Sequence, residues 1–236
     1  YKKRNYILLT IIDISEQKRK RALERIFFHD VINKIGSLKN ILELLTDDNY
    51  TEDNAELIEL SQDVVKDLNE EILQQKNLMA AESRDLKIEL TIVNTMDIVE
   101  ESIQQLVQYP ESQNITIEAD KNAASVEFKT DPVILKRIII NMLKNAIEAS
   151  KTSQNVYLGC DDEGKNVTFW VKNQAYIPEQ NQIKIFDRTF STKGKDRGLG
   201  TYSMKILGEE YLNGKVYFTS DQKEGTVFYI NLSKDI

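Results

Sequence analysis

The feature that most constrains the fold is a run of apolar residues at alternating spacings of three and four. From Glu16 onwards the sequence is rich in charge, and the apolar residues within it recur on one side of a helix. A narrow stripe of this kind is buried against another helix. The stripe consists of Phe28, Val31, Ile35, Leu38, Leu42 and Leu45. It predicts a long helix that packs against a helical partner.

A second amphipathic helix is predicted after the polar stretch 46–51, and it extends to about Ala81. Its apolar residues are Leu57, Leu60, Val64, Leu68, Ile72, Leu78 and Met79. Two helices joined by a short turn form an antiparallel hairpin, in which neither stripe is fully buried. We therefore expect a homodimer in which two hairpins complete a four-helix bundle.

Beyond Ser83 the sequence predicts a mixed α/β sandwich, so the fold class of the whole chain is α+β. We expect helices at about 96–107, 132–150 and 199–212, and a long loop at 173–197. We expect strands at 86–92, 115–118, 125–129, 156–160, 167–171, 215–219 and 226–232. The apolar run near the amino terminus, within residues 1–15, is consistent with one further strand.

Composition excludes several classes of function. Lys and Arg total 31 against 38 for Asp and Glu, a net charge of −7 that disfavours nucleic acid as a partner. The single cysteine, Cys160, excludes an internal disulfide and a cysteine-based zinc cluster, and it fits a reducing compartment. No apolar run approaches the roughly 18 residues of a membrane span. We expect a cytoplasmic segment of a longer protein, without membrane contact of its own.

The single histidine, His29, lies about 150° around its helix from the apolar stripe, on the side predicted to face solvent. Its neighbours on that side are small and polar: Asn33, Gly36 and Asn40. Asp30 can accept the Nδ1 proton and leave Nε2 as a nucleophile. An incidental surface histidine fits the same pattern, so both interpretations remain open at this point.

Two further patterns suggest a site for phosphate groups. Asn141 and Asn145, spaced i,i+4, can offer oxygens to Mg²⁺ and N–H groups to phosphate, although a solvated polar stripe has the same pattern. In STKGKDRGLGTYS, at 191–203, glycines and basic residues precede a helix start, which favours an anion over an ordinary basic loop. The Walker A, Rossmann and protein-kinase signatures are all missing from the sequence.

Taken together, these stretches resemble the motifs of sensor histidine kinases of two-component signalling. FFHDVINKIGSLKNILELL resembles the phospho-acceptor box, NMLKNAIEAS the N box and IFDRTFSTK the F box. DRGLGTYSMKIL resembles the second glycine box, and EGTVF the last glycine-threonine motif. The resemblance implies a dimerisation and phosphotransfer hairpin at 16–82 and an ATP-binding domain of the Bergerat type at 83–236. Residues 1–15 resemble the end of a PAS sensor domain.

The resemblance also implies roles for individual residues. His29 would attack the γ-phosphate of ATP with Asp30 as general base, and the phosphoryl group would pass to an aspartate of a response regulator. Asn33 would position water for dephosphorylation of that regulator. Asn141 and Asn145 would hold Mg²⁺ and phosphates. The remaining nucleotide contacts would come from Asn173, Lys193, Arg197, Gly198, Leu199, Gly200 and Thr226.

One motif departs from the family. The first glycine box usually reads Asp-x-Gly-x-Gly, whereas this chain has NQAYIP at 173–178. Asn173 can accept a hydrogen bond from adenine, but more weakly than a carboxylate does. Tyr176, in place of a glycine, either narrows the adenine pocket or stacks on the base. Two alternatives follow: a degenerate kinase that acts as a dimeric scaffold or phosphorelay module, and a protein whose main activity is regulator phosphatase.

Overall fold

The computed structural model describes residues 15–45, 54–82, 86–106, 112, 115–187 and 199–234. The chain divides into two compact units, Tyr1–Leu73 and Gln74–Ile236. The strand predicted near the amino terminus and the hairpin turn at 46–51 lie outside the described residues. Over the part of the chain that is described, no helix combines the length and the apolar character needed to cross a bilayer.

Two long helices, as predicted, account for the described residues of the first unit. They are α1 (Ser15–Leu45) and α2 (Asn54–Glu82), the second of which continues beyond Leu73. The apolar stripe of α1 remains partly uncovered: Phe28 is 60% exposed, Ile35 49% and Leu42 50%. Burying such side chains stabilises a fold by about 1.5–3 kcal/mol each, so this surface is strongly favoured to associate.

The second unit is a two-layer domain. Its strands are β1 (Thr91–Asn94), β2 (Thr116–Ala119), β3 (Glu127–Thr130), β4 (Asn155–Asp162), β5 (Asn166–Asn173), β6 (Lys215–Asp221) and β7 (Gly225–Ser233). Its helices are α3 (Thr95–Leu106), α4 (Pro132–Ala149), α5 (Glu179–Gln182) and α6 (Leu199–Ile206). Five strands form a sheet of order β2-β4-β5-β7-β6, with β2 parallel to β4 and the other pairs antiparallel. Strands β1 and β3 pair separately.

Helix α4 lies at the centre of the core. Pro132 occupies its first turn, where a missing N–H costs nothing, and Asp131 caps it by accepting from the amides of Val133 and Ile134. The apolar face of α4 is fully buried with the inward-facing residues of the sheet in one core. The buried face comprises Ile134, Leu135, Ile138, Ile139, Met142, Leu143, Ala146 and Ile147. The polar face of α4 is thereby directed away from the sheet.

The strand predicted at 86–92 is wrong in position, because strand β1 covers Thr91–Asn94. The backbone amide of Glu89 donates instead to Asp131 Oδ2 at 2.8 Å, so this segment is tied to the cap of α4. Strand β3, with which β1 pairs, has only four residues, so the hydrogen-bonded pairing of β1 cannot extend further. The other predicted strands are present, with ends that differ by a few residues.

The predicted loop at 173–197 and the helix that follows it also differ from expectation. The loop contains the short helix α5, and the helix predicted at 199–212 is α6 followed by a π-helical turn, Leu207–Tyr211. Gly208 lies in this turn, where a Cβ would approach Val216 Cγ2 to 2.4 Å. A side chain larger than hydrogen therefore does not fit at this position, where the turn packs on the sheet.

Asp131→Ala should destabilise the second unit by about 2 kcal/mol or more, because three backbone amides lose their acceptor at a buried position. Urea unfolding followed by the fluorescence of Trp170, the single tryptophan and a residue of β5, measures this loss. Asp120→Ala, which removes an exposed turn contact to the amide of Asn122, serves as the control and should change stability by less than about 0.5 kcal/mol. Equal effects in the two variants would contradict the capping role.

Candidate active site

The polar face of α4 presents two amide side chains, Asn141 and Asn145, both half-buried. The Nδ2 atom of Asn145 is buried and forms no hydrogen bond among the described residues. Leaving such a donor unpaired costs about 1–3 kcal/mol. A phosphate oxygen would satisfy this donor, and the amide oxygens of the pair are suitable ligands for a hard cation.

Helix α6 begins beside Asn145. A Cβ placed on Gly200 would lie 3.8 Å from Asn145 Oδ1 and 3.9 Å from its Nδ2. Further along, a Cβ on Gly208 would lie 3.8 Å from Ile138 Cδ1, so the chain from α6 onwards runs antiparallel to α4. The amino-terminal end of α6, which carries the positive end of the helix dipole, therefore lies next to the unpaired amide nitrogen of Asn145, where an anion is favoured.

Asn173 is the last residue of β5 and lies next to the last turn of α4. It is only 4% exposed, and its Nδ2 donates to the carbonyl oxygen of Ala146 at 2.9 Å. This hydrogen bond fixes the orientation of the amide and leaves Oδ1 as the acceptor. Asn173, which stands where the resembled motif has aspartate, thus keeps an oriented amide oxygen that can accept a hydrogen bond.

A row of hydroxyl groups secures the altered glycine box. Thr226, which pairs with Asn173 in the sheet, donates through Oγ1 to the carbonyl of Ala175 at 2.6 Å. Because the hydroxyl proton of Thr226 is used in that hydrogen bond, Ser220 Oγ is the donor to Thr226 Oγ1, at 2.7 Å. Ser220 Oγ in turn accepts from the amide of Ile177 at 2.9 Å. The segment is thereby fastened to the end of the sheet.

Sequence analysis did not identify Ser220 as a site residue. The signal that would have found it is the short turn between the last two strands, since it places Ser220 opposite Thr226. The same turn explains the glycine of the last motif. Gly225 has a φ of +82°, and a Cβ there would lie 2.1 Å from the carbonyl oxygen of Asn173. Only glycine permits this approach of the two strands.

The structure places Gly200 beside Asn145, one turn of α4 after Asn141, and it places Asn173 and its strand partner Thr226 beside Ala146, the next residue of the same helix. Lys193, Arg197 and Gly198 lie outside the described residues, and Leu199 is the first residue of α6.

His29 and Asp30 lie in α1, but their side chains are likewise outside the described part of the chain. Their predicted neighbours Asn33, Gly36 and Asn40 are exposed, as expected for that face of the helix. Tyr176 is half-buried, and its two interpretations stay predictions.

Comparison with known proteins agrees with this geometry. Residues 130–236 match the family described as histidine kinase-, DNA gyrase B-, and HSP90-like ATPase. The chain is 24% identical over 208 residues to "Sensor histidine kinase ZraS" of Salmonella typhimurium, an alignment that covers 86% of this chain and 43% of that protein. The chain therefore spans less than half the length of this relative.

Two solved structures share the fold. The histidine kinase AdeS of Acinetobacter baumannii superposes with a TM-score of 0.70 at 17% identity, over 88% of this chain and 98% of that one. The histidine kinase ThkA, in complex with the response regulator protein TrrA, superposes with a TM-score of 0.66 at 21% identity. That match covers 94% of this chain and 62% of the other.

Asn173→Asp should destabilise the second unit even though it restores the family's residue. A carboxylate oxygen would then oppose the carbonyl of Ala146, at a cost of about 1–3 kcal/mol near pH 7. The pKa of the new carboxyl would rise on folding. The loss of stability should therefore shrink as pH falls towards about 4, where a protonated carboxyl can donate to the carbonyl of Ala146. Urea unfolding at both pH values tests this, with the exposed Asn122→Asp as control. The same pH dependence in both variants would refute the role of this hydrogen bond.

Proposed function

We propose that this chain, a member of the sensor histidine kinase family, transfers the γ-phosphoryl group of ATP to His29 and then to an aspartate of a response regulator. The observation that carries the proposal is the buried, unpaired amide nitrogen of Asn145 beside the start of α6. A phosphate group would satisfy that donor, and the oriented acceptor of Asn173, which is bonded to Ala146 in the same helix, would suit adenine. Both groups would then contact one nucleotide.

The reaction forms a bond from His29 Nε2 to the γ-phosphorus and breaks the bond to the leaving oxygen of ADP. Asp30 would take the proton from Nδ1 as Nε2 forms its bond to phosphorus, so that the phosphorylated imidazole does not carry a positive charge. Asn141 and Asn145 supply side-chain oxygens for Mg²⁺, which would neutralise charge on the phosphates. Positioning and electrostatic stabilisation account for most of the rate enhancement in such transfers.

The rival interpretation is a docking scaffold with weak or no nucleotide binding. It rests on the altered first glycine box, which lacks both glycines and the aspartate. Two observations favour the kinase. The replacement Asn173 keeps a fixed acceptor, and Ser220 and Thr226 hold the shortened segment in place. The neutral acceptor lowers the expected affinity for adenine without removing its binding site.

Two partners are proposed. A second copy of the chain would cover the exposed apolar stripe of α1 and complete a four-helix bundle. A response regulator would dock on the exposed face that carries Asn33, one turn after His29. The related fold of ThkA in its complex with TrrA supports the second partner. In this arrangement Asn33 is also placed to orient water for removal of the phosphoryl group from the regulator.

His29→Gln should abolish phosphorylation of the chain by γ-labelled ATP, because the chain contains a single histidine. The unmodified chain should acquire label that is labile in acid and stable in alkali, and the variant should acquire none. Calorimetry should show that the variant still binds ATP, since His29 is not part of the nucleotide site. Label that persists in His29→Gln would refute the proposal, and a complete lack of binding at millimolar ATP would favour the scaffold.

Introducing charge into the apolar stripe of α1 should dissociate the dimer. We expect the double change Ile35→Lys and Leu42→Lys to halve the mass measured by light scattering, because both half-exposed side chains would be buried in the bundle. Asn40→Lys places the same charge on the exposed polar face and should leave the mass unchanged. A monomeric unmodified chain, or a dimer that tolerates the double change, would contradict this arrangement.

A further inference from the structure

The nucleotide site has a direction along α4. Its base end is marked by Ala146, whose carbonyl fixes Asn173. Asn145 and Asn141 follow towards the amino terminus of the helix, one turn apart. At 1.5 Å per residue, the helix rises about 13 Å between Ala146 and Arg137, which is comparable to the length of ATP from its base to its terminal phosphate.

Arg137 continues the line of the two amides. It precedes Asn141 by four residues, and Asn141 precedes Asn145 by four, so the three side chains form one stripe on α4. The stripe thus runs from the base end, through the paired amides, to a cationic group. No motif of the sequence drew attention to this arginine.

The guanidinium of Arg137 is half-buried and has no hydrogen bond or ion pair with any residue that the structure describes. Burial lowers the pKa of Arg137 to about 10, so it is still protonated at neutral pH. Its neighbour Lys136 differs, because the Lys136 ammonium pairs with Glu101 of α3 at 2.7 Å. A partly desolvated cation without an anionic partner is costly, and a phosphate would offset that cost.

We infer that Arg137 binds the terminal phosphate of ATP and stabilises the charge on the phosphoryl group during its transfer. The planar guanidinium can donate two parallel hydrogen bonds to phosphate oxygens, which an amide or an ammonium does less well. This inference rests on the proposed function and adds to it a residue that distinguishes ATP from ADP. Because ADP lacks the terminal phosphate, ADP would bind without this contact.

Calorimetric titration of the full chain with ATP and with ADP, each with Mg²⁺, tests the inference. Arg137→Gln should weaken ATP binding by about 10- to 100-fold and leave ADP binding within about twofold. Arg137→Lys, which keeps the charge but loses the planar guanidinium and its two parallel hydrogen bonds, should give an intermediate affinity for ATP. Lys136→Gln removes the same charge one residue away and should leave both affinities unchanged.

The possible outcomes separate the two proposals. If the unmodified chain binds neither nucleotide, the proposed function fails and this inference fails with it. If the unmodified chain binds both and Arg137→Gln weakens them equally, or weakens neither, only the inference about Arg137 is refuted. A loss of ATP affinity in Arg137→Gln, with ADP affinity and the thermal melting temperature retained, supports it.

Discussion

The division of α4 into an apolar face and a polar face is the constraint on which the second unit depends. Eight side chains of this helix are buried in the core, and burial of each large one is worth about 1.5–3 kcal/mol. Rotation of the helix would expose them, so the helix cannot turn about its axis. The buried residues of α4 thereby fix the positions of Asn141, Asn145 and Arg137 on its polar face. The proposed binding surface is a consequence of the core.

Hydrogen bonds hold the two ends of α4 in addition to the packing of its apolar face. Asp131 caps the first turn and also holds the segment before β1 through the amide of Glu89. At the last turn, the carbonyl of Ala146 accepts from Asn173 at the end of β5. The hydrogen bonds from Glu89 and from Asn173 join residues distant in sequence, so the loss of either would release an element of the fold as well as leave a polar group without its partner.

The net charge of the chain opposes an anionic ligand, whereas the local charges beside α4 favour a nucleotide. The chain carries a net charge of −7, which opposes binding of an extended polyanion. The proposed nucleotide is a compact anion that needs only local compensation, which the amides of α4, the start of α6 and Arg137 would provide. The departure from the family at Asn173 fits the same arrangement, since its donated hydrogen bond to Ala146 keeps an acceptor at the base end without adding negative charge.

The amino-acid sequence by itself determined the α+β class, the two long helices and the two faces of α4, because each follows from the periodicity of apolar residues. It also determined the polar residues Asn141 and Asn145, whose spacing is local. It did not predict the position of β1 correctly, since the backbone amide of Glu89 donates to Asp131 at the cap of α4 and not to a neighbouring strand. Only the tertiary structure revealed Ser220, the orientation of Asn173 and the partial burial of Arg137 without a partner among the described residues. These depend on strand pairing and on packing, which are relations between residues far apart in the chain.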